Sequence, residues 1–547
     1  MSFREDIQKS LQEAIKKAGY ATADVRLVLE KPRHKEHGDM ATPVAMSLAR
    51  TFKKKPMQIA EDIADKLSFA AGAVAGVEVA KPGYINLTLS PEILAGNLTD
   101  IHRAGDDYGG SRYGDGIKCQ VEYVSANPTG PLVLVSARAA AVGSVIVNLL
   151  RKVGFDAEGE YYVNDSGNQV RALGESLRFR VRERLGTLES GSEIGAYPGA
   201  YLKEIAEQVA PDEAARWDSE ADGIARYGDL ATNVLLRGIE DDLRHFGVHF
   251  DSFYRESSLH PEGVQEARKI VEDKGYCYEQ DGAVYFRTSE FGDEKDRVLI
   301  KSDGNPTYFL GDIAYHLTKL RRGYKWVVDL LGPDHHGHIS RMQAAATVLG
   351  AGTGWLSILT VGWVRLLEGK KPVSMSKRSG EIIRMRELID DVGADVAKFF
   401  FLMRRANSPL DFDLELARKQ SDENPVYYVQ YAHARIASVA RFAAEKGLKL
   451  PAGAECRRLD SPEERDLMVH LLFFPHVIEG AAMTREPNRV ATYAQELAAL
   501  FHRFYHVRRV VTDDAELSAS RFFLVEAARQ VLRNALNVMG VDAPASM

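Results

Sequence analysis

One stretch of the chain, residues 121–138, constrains the fold more than any other. It reads Val-Glu-Tyr-Val-Ser-Ala-Asn-Pro-Thr-Gly-Pro-Leu-Val-Leu-Val-Ser-Ala-Arg. The apolar start predicts a buried strand, the Pro and Gly residues predict a turn, and the small residues that follow predict the start of a helix. This order places backbone N–H groups at a helix N-terminus, where an anion or phosphate is stabilised. The stretch therefore predicts an α/β sheet with an anion site at a strand end.

The same pattern continues along the chain. A strand at 117–124, a helix at 136–153 and a second strand at 158–163 form a β-α-β unit, which predicts a parallel sheet with crossover helices. Residues 176–280 are rich in helical patterns and charge, so we interpret them as an insertion between two halves of one sheet. Strand-like segments at 283–287, 298–300 and 326–331 then predict the return of that sheet.

At 547 residues the chain is too long for one core, so we expect several domains. The predicted fold class is α/β multidomain, with a Rossmann-like parallel-sheet domain that carries a helical insertion, an N-terminal α/β domain and a C-terminal all-α bundle. The predicted limits are 1–105 for the N-terminal domain, 106–175 and 281–360 for the two halves of the sheet, 176–280 for the insertion, 361–405 for a basic loop segment and 406–547 for the bundle.

Composition narrows the class of protein. Hydrophobic residues make up 45% and charged residues 27% of the chain, as in ordinary globular proteins. We find no run of about 18 apolar residues, so no membrane span is expected. The cysteines, Cys119, Cys277 and Cys456, are too far apart for a metal or disulfide pattern, which favours the cytoplasm. The net charge of −7 argues against a general nucleic-acid coat but permits local basic faces.

Two acids in apolar surroundings are the first candidate site residues. A carboxylate in the buried strand at Glu122 is costly unless it is paired. It is either in a salt bridge to an arginine of the protein or, together with Asn127, in a site for a cationic ligand such as a guanidinium. Tyr308 and Asp312 are four residues apart and share one face of a predicted helix. Asp312 alone could equally complement the helix dipole.

Two polar loops are further candidates. Residues 332–338 follow a predicted strand and include His335 and His336; a metal site, a phosphate site and a structural role all remain open for them. Residues 369–381 carry four cations and three serines, including Ser376 and Lys377. Such a loop is either a solvated surface or a clamp for the charge that develops on a polyphosphate.

The order of these motifs resembles one enzyme family. Residues 375–379, Met-Ser-Lys-Arg-Ser, resemble the Lys-Met-Ser-Lys-Ser loop of class I aminoacyl-tRNA synthetases, and residues 127–132 resemble the approach to their His-Ile-Gly-His signature. Five segments are similar to arginyl-tRNA synthetases in particular: 121–132, 161–169, 297–316, 424–436 and 529–541. The resemblance extends over essentially the whole chain.

The resemblance implies an arginine–tRNA ligase, which uses ATP with Mg²⁺ to make arginyl-adenylate and then charges the terminal ribose of tRNA(Arg). It implies a monomer with no membrane partner and no dedicated protein metal site. The implied catalytic residues are Lys377, Ser376, Ser136 and Thr129. The implied arginine-binding residues are Glu122, Ser125, Asn127, Tyr308 and Asp312, and the implied ATP-binding residues are Pro128, Gly130, His335, His336, Met375 and Lys377.

The resemblance also implies that the N-terminal domain binds tRNA and that the helical bundle reads the anticodon. Single-stranded loops are bound by aromatic stacking and by cations on phosphates. The candidates in the bundle are Tyr427, Tyr431, His433, Arg435, Tyr505, Arg529 and Arg533, and those in the N-terminal domain are Lys31, Arg33, His34 and Lys35. For each residue alone, helix packing or a solvated face explains the side chain equally well.

The chain departs from the family at one place. The family expects Pro-Leu-His-x-Gly-His-x-Arg, whereas residues 131–138 read Pro-Leu-Val-Leu-Val-Ser-Ala-Arg. Val133 and Ser136 stand where histidines are expected, and Val135 stands where glycine is expected. Ser136 can donate a hydrogen bond, but with a shorter reach and no charge. We expect an active ligase; the alternative is a catalytically weak paralogue that binds tRNA or arginine and regulates another process.

Overall fold

A computed structural model of the chain describes residues 3–21, 27–32, 34–69, 72–333, 336–369, 371–373, 383–450 and 458–547. The N-terminal region pairs three strands in an antiparallel sheet, with Tyr84–Leu89 in the middle. Its elements are α1 (Phe3–Lys17), β1 (Met40–Thr42), α2 (Val44–Phe52), α3 (Pro56–Ala64), β2 (Val74–Ala80), β3 (Tyr84–Leu89) and α4 (Pro91–Ala104).

The central region contains the predicted parallel sheet. Its strands lie in the order β11-β10-β4-β5-β6, and every neighbouring pair is parallel. The first elements are β4 (Lys118–Glu122), α5 (Leu134–Lys152), β5 (Asp156–Val163), α6 (Gly167–Leu185), α7 (Tyr201–Ala206), α8 (Pro211–Ser219), α9 (Gly223–His245), β6 (Ser252–Arg255) and α10 (Glu262–Asp273). Strand β6 lies inside the segment interpreted as an insertion, so that segment contributes an edge strand to the sheet.

Two of the predicted strands belong elsewhere. The prediction that the strands at 283–287 and 298–300 continue the parallel sheet is wrong. In the structure Ala283–Phe286 pairs with both Cys277–Gln280 and Arg297–Ile300 in a separate antiparallel sheet. Of the three predicted strands, Trp326–Leu331 alone joins the parallel sheet. These elements are β7 (Cys277–Gln280), β8 (Ala283–Phe286), β9 (Arg297–Ile300), α11 (Tyr308–Arg321), β10 (Trp326–Leu331), α12 (His336–Leu349) and β11 (Leu356–Thr360).

The rest of the chain is a small sheet followed by helices. Strand β12 pairs with β13 and β14, and the helices after it pack as the predicted bundle. The elements are β12 (Val364–Glu368), β13 (Lys371–Pro372), α13 (Met385–Val392), α14 (Ala394–Leu402), β14 (Leu410–Asp413), α15 (Leu414–Arg418), α16 (Pro425–Glu445), α17 (Pro462–Leu472), α18 (Phe474–Thr484), α19 (Asn488–Val507) and α20 (Ala515–Val538).

Helix α5 packs closely against the sheet because Gly143 has no side chain. A Cβ atom there would lie 2.2 Å from the ring of Tyr123, the residue after β4. Two segments, α5 and Pro462–Thr484, are long and apolar enough by composition to cross a membrane. The expectation from the sequence that the chain has no apolar run of about 18 residues is therefore wrong. In the structure 78% and 56% of their most apolar windows is buried, as in the core helices of a globular protein.

Candidate active site

A strained turn at the end of β4 orients the first site residues. Val124 and Ser125 have φ angles of 68° and 37°, a left-handed conformation that residues other than glycine rarely adopt. Strain of this kind is retained where the surrounding structure fixes it, often at functional sites. Here it directs the Ser125 hydroxyl toward Glu122, whose Oε1 accepts its hydrogen bond at 3.0 Å. The Ser125 Oγ in turn accepts a bond from the Tyr162 N–H at 3.1 Å.

The five predicted arginine-binding residues line one cavity. This cavity, the strand-end cleft, has a volume of about 520 Å³ and lies at the carboxyl ends of β4, β5 and β10. Ligands bind at this edge in open α/β sheets. The predicted residues in its wall are Glu122, Ser125, Asn127, Tyr308 and Asp312. Its wall also contains residues without a predicted role: Val124, Tyr162, Asn164, Gln169, Phe309, Leu330, Leu331, Gly332, Gly337, His338 and Arg341.

Glu122 is paired with a cation of the protein, but that cation is a lysine and not the arginine considered from the sequence. The Lys319 ammonium donates to Glu122 Oε2 at 2.7 Å and to Asp329 Oδ1 at 2.8 Å. Burial raises the pKa of Glu122, and Asp329 adds to that rise while Lys319 opposes it. Glu122 still lines the cleft, so one carboxylate both forms the salt bridge and borders the cavity.

Asp329 and His316 extend this network. Asp329 lies directly across from Glu122 in the register of β10 and β4. The His316 ring bonds Asp329 Oδ2 through Nε2 and the Asp312 carbonyl through Nδ1, both at 2.8 Å. Burial would raise the pKa of Asp329, but Lys319 and His316 outweigh it and hold that pKa well below its usual range. The network thus connects the two walls of the cleft.

The opposite wall is formed by α11 and α12. Tyr308 and Asp312 share a face of α11, as their spacing predicts, and Tyr308 is 56% exposed at the start of that helix. The His338 Nε2 lies 3.3 Å from Asp312 Oδ2. His338 and Arg341 are one turn apart on α12, so this wall carries an imidazole and a guanidinium beside the Asp312 carboxylate.

The turn predicted to hold ATP lies beside the cleft and is fixed by two tyrosines. Tyr161 donates to the Ala126 carbonyl at 2.7 Å, and Tyr201 of α7 donates to the Thr129 carbonyl at 2.6 Å. Pro128, Thr129 and Gly130 belong to this turn, outside the wall of the cleft. Val133, the residue before α5, makes no capping hydrogen bond through its side chain. Ser136 is buried in the first turn of α5.

A second cavity of about 480 Å³ shares Tyr308 with the strand-end cleft. Its wall includes Glu256, which is 5% exposed, and Glu256 Oε2 accepts no hydrogen bond from any described residue. Burial raises the pKa of Glu256 to about 7, and the Asp312 carboxylate adds to the rise. The buried acid next to the cleft was not predicted from the sequence.

The loop predicted to carry Met375, Ser376 and Lys377 lies outside the described residues, as does His335. His336 is the first residue of α12. The residues that follow the loop return to the start of α5: the Met385 N–H donates to the Leu132 carbonyl at 2.8 Å, and Arg384 forms a β-bridge with Val133. The C-terminal end of the lysine-containing segment is thus attached beside the altered signature.

The anticodon candidates divide into two groups. Four gather on one face of α16 and α19: the Tyr427 and Tyr431 rings stack at 6.0 Å, and the Arg435 guanidinium lies 5.6 Å from Tyr431 and 5.0 Å from Tyr505. These side chains are at least partly exposed. The others contact the protein itself: Arg533 pairs with Asp106, Arg529 pairs with Glu526, and His433 bonds the Pro544 carbonyl.

The N-terminal candidates border a cavity of about 520 Å³. Lys31 and His34 lie in its wall, whereas Arg33 is outside the described residues and only the backbone of Lys35 is described, in a short 3₁₀ turn. The sequence did not identify Tyr84 and Asn86 of β3, which lie in the same wall. The Asn86 amide nitrogen is buried and has no partner among the described residues. Lysine, histidine, tyrosine and asparagine side chains thus meet at one cavity.

Comparisons with known proteins cover nearly the whole chain. Residues 5–89 match the arginyl tRNA synthetase N-terminal domain, residues 101–398 the catalytic domain of class I (R) tRNA synthetases, and residues 429–547 the DALR anticodon-binding domain.

Individual relatives agree with these matches. An arginine–tRNA ligase of Citrifermentans bemidjiense is 45% identical over 95% of this chain and 94% of its own length. The ligase of Syntrophotalea carbinolica is 46% identical over the same shares. The Thermus thermophilus arginyl-tRNA synthetase structure has the same fold, with a TM-score of 0.79 at 22% identity and all of both chains covered. The chain therefore belongs to the arginyl-tRNA synthetase family.

Proposed function

We propose that this arginine–tRNA ligase activates L-arginine in the strand-end cleft. One observation carries the proposal: the carboxylates of Glu122 and Asp312 line a single cavity from different elements, β4 and α11. A guanidinium is planar and always charged, and it matches carboxylates with several donors at once. An apolar substrate would offer neither acid a hydrogen-bond donor, which is an unfavourable mismatch in a polar site.

The neighbouring polar groups fit the rest of the substrate. The hydroxyls of Ser125 and Tyr308 and the amide of Asn127 lie in the same wall, where they can bind the substrate amino and carboxylate groups. Arg341 adds positive charge on the side of α12, and His338 adds an imidazole that can donate a hydrogen bond. We assign these two residues to anionic groups, either the arginine carboxylate or the α-phosphate that it attacks.

ATP is assigned to the turn at 126–130 and the start of α5. Val133 leaves the first N–H groups of α5 without a side-chain cap, so a phosphate can accept their hydrogen bonds. Pro128, Thr129, Gly130 and Ser136 contribute the rest of this surface, and Met375, Ser376, Lys377, His335 and His336 are proposed to complete it. Mg²⁺ is proposed to enter with the phosphates of ATP. Among the described residues, no group of three or more His, Cys, Asp or Glu side chains is arranged to hold a metal ion.

The reaction has two steps. The arginine carboxylate attacks the α-phosphorus of ATP, a phosphoanhydride bond breaks, and pyrophosphate leaves while arginyl-adenylate forms. A hydroxyl of the terminal tRNA ribose then attacks the arginyl carbonyl and loses its proton to the departing phosphate or to water. The bond between the carbonyl carbon and the phosphate oxygen breaks, and AMP leaves. Lys377 is proposed to stabilise the negative charge on the departing pyrophosphate rather than to transfer a proton.

The tRNA is proposed to contact both ends of the chain. The cavity that contains Lys31, His34, Tyr84 and Asn86 offers cations for phosphates and an aromatic face with an amide for a base. The cluster of Tyr427, Tyr431, Arg435 and Tyr505 offers stacking surfaces for the anticodon loop. We further propose the domain limits given from the sequence, a monomeric state and a cytoplasmic location.

An exchange assay tests the assignment of the cleft. Purified protein with tRNA(Arg) is expected to catalyse ATP–pyrophosphate exchange with arginine, and at least a hundredfold less with lysine or citrulline at equal concentration. Lysine has the charge without the planar fork, and citrulline has the shape without the charge. Exchange that is equally fast with lysine would contradict recognition by two carboxylates placed for a guanidinium.

A further inference from the structure

A buried lysine, Lys319, contacts Glu122, the carboxylate proposed to bind the substrate. It belongs to a network of side chains to which the proposed function assigns no role. Asp312, His316 and Lys319 lie at positions i, i+4 and i+7 of α11, on one helical face. Together with Asp329 they form a continuous series of contacts from Glu122 on one wall to the Asp312 main chain on the other. Lys319 is fully buried, at 0% exposure, so it is not a ligand-binding residue itself.

One buried cation contacts two carboxylates in this network. The two ring nitrogens of His316 each lie 2.8 Å from an oxygen, one on the Asp312 carbonyl and one on the Asp329 carboxylate. The Lys319 ammonium donates to Glu122 at 2.7 Å and to Asp329 at 2.8 Å. Burial would lower the pKa of Lys319, but Asp329 and Glu122 outweigh it and raise that pKa. Lys319 is therefore the buried cation between the two carboxylates.

The protonation state of Glu122 determines which ligands the cleft can bind. A buried carboxylate without a cation takes up a proton in preference to remaining charged. A protonated Glu122 would be a neutral donor, and it would bind a neutral urea as readily as a guanidinium. The Lys319 ammonium donates to Glu122 Oε2 on the side away from the cleft, and the Ser125 hydroxyl donates to Oε1 on the side of the cleft.

We propose that Lys319 is a specificity-determining positioning residue: it keeps Glu122 ionised and directs Oε1 toward the arginine guanidinium. The inference rests on the proposed function of the cleft. Other charged or titratable groups also surround Glu122. They are Asp312, Tyr315 and His316 on α11, Asp329 on β10, Glu160 and Tyr162 on β5, and His338 and Arg341 on α12.

The test replaces Lys319 with Met and compares arginine with citrulline, which has a neutral urea in place of the guanidinium. The measured quantity is the KM for arginine relative to the inhibition constant of citrulline, in ATP–pyrophosphate exchange with tRNA. Lys319→Met is expected to reduce the preference for arginine at least tenfold. Its kcat/KM for arginine is expected to gain a new dependence on pH: low where Glu122 is protonated and rising with pH as that proton leaves.

Two further variants separate charge from packing. Lys319→Gln keeps a hydrogen-bond donor and most of the volume without the charge, and it is expected to lose the same preference even if Lys319→Met does not fold. Adding Asp329→Asn to Lys319→Met removes the neighbouring carboxylate that raises the pKa of Glu122. The double variant is expected to regain at least threefold of the lost preference, which a merely structural role would not predict.

A matched control is Lys398→Met. Lys398 is another buried lysine, 4% exposed, and its ammonium donates to the carbonyls of Gly247 and Gly540, far from the cleft in the fold. It is expected to change thermal stability without changing the preference for arginine.

The inference is overturned if folded Lys319→Gln keeps the parental preference and pH profile, or if it loses arginine and citrulline equally. Parent protein that shows no arginine-dependent exchange would instead refute the proposed function itself.

Discussion

Replacing Asp312 with Asn tests the arginine pocket most cleanly, because Asn keeps the shape and removes only the charge. A hydrogen bond to a charged group contributes about 1.5–3 kcal/mol, which corresponds to about 10- to 150-fold in binding. The Asp312 side chain is 31% exposed, so water screens part of its interaction and the effect should be near the lower limit. We therefore expect the KM for arginine to rise about tenfold or somewhat more.

The assay is ATP–pyrophosphate exchange at saturating ATP and tRNA, with arginine varied. The kcat should change less than threefold, because Asp312 is placed at the substrate side chain and not at the reacting atoms, so it contributes to ground-state and transition-state binding alike. Asp411→Asn is the matched control, since Asp411 pairs with Arg365 at the surface. A KM for arginine within twofold of the parent value would refute the placement of the guanidinium.

Three further predictions address other parts of the chain. Lys377→Ala should slow activation about 100-fold or more while changing the affinity for ATP less than threefold, in single-turnover and ATP-binding measurements; an equal loss in both would count against a role in the transition state. Arg435→Ala should raise the KM for tRNA about 5- to 30-fold with the KM for arginine unchanged, because it removes about 1–2 kcal/mol of stacking and charge; an unchanged KM for tRNA would exclude this face of the bundle. Glu256→Gln should be more stable than the parent above pH 8 by about 3 kcal/mol, and the difference should vanish near pH 4.5. The reason is that the folded-state pKa of Glu256 is raised to about 7, which costs the parent stability as pH rises from about 4.5 to about 7. Urea unfolding curves that differ by the same amount at both pH values would contradict the burial of an ionisable acid.

The sequence predicted the parallel sheet where the pattern was strong and local. The strand, turn and helix of residues 121–138 follow from apolar runs, Pro and Gly. They place Glu122 in its strand, and they predict α5 from residue 136, close to its observed start at Leu134. It was wrong about β8 and β9, because an apolar strand shows the same pattern whichever sheet it joins. It also missed β6, whose four residues are only partly buried and lie within a helix-rich segment.

The site divides in the same way. The predicted arginine-binding residues were found from the sequence because they lie at strand ends or share one face of a helix. Lys319, Asp329 and Glu256 were missed, since each gains its meaning from a partner far away in the sequence. Two signals were nevertheless present: an acid inside the apolar run Trp326–Leu331, and the spacing of Asp312, His316 and Lys319 on one helical face.

The altered signature at Val133, Val135 and Ser136 makes activity the central claim. If helix N–H groups, the turn at 126–130 and Lys377 suffice to bind and activate ATP, the histidines are one means of filling this role and not a requirement. The most direct measurement is the charging of tRNA(Arg) with labelled arginine by the purified protein. We predict ATP-dependent charging with multiple turnovers that is abolished by omitting either ATP or tRNA. Folded protein that binds tRNA(Arg) and arginine but forms no arginyl-tRNA would contradict the account and favour a catalytically weak paralogue.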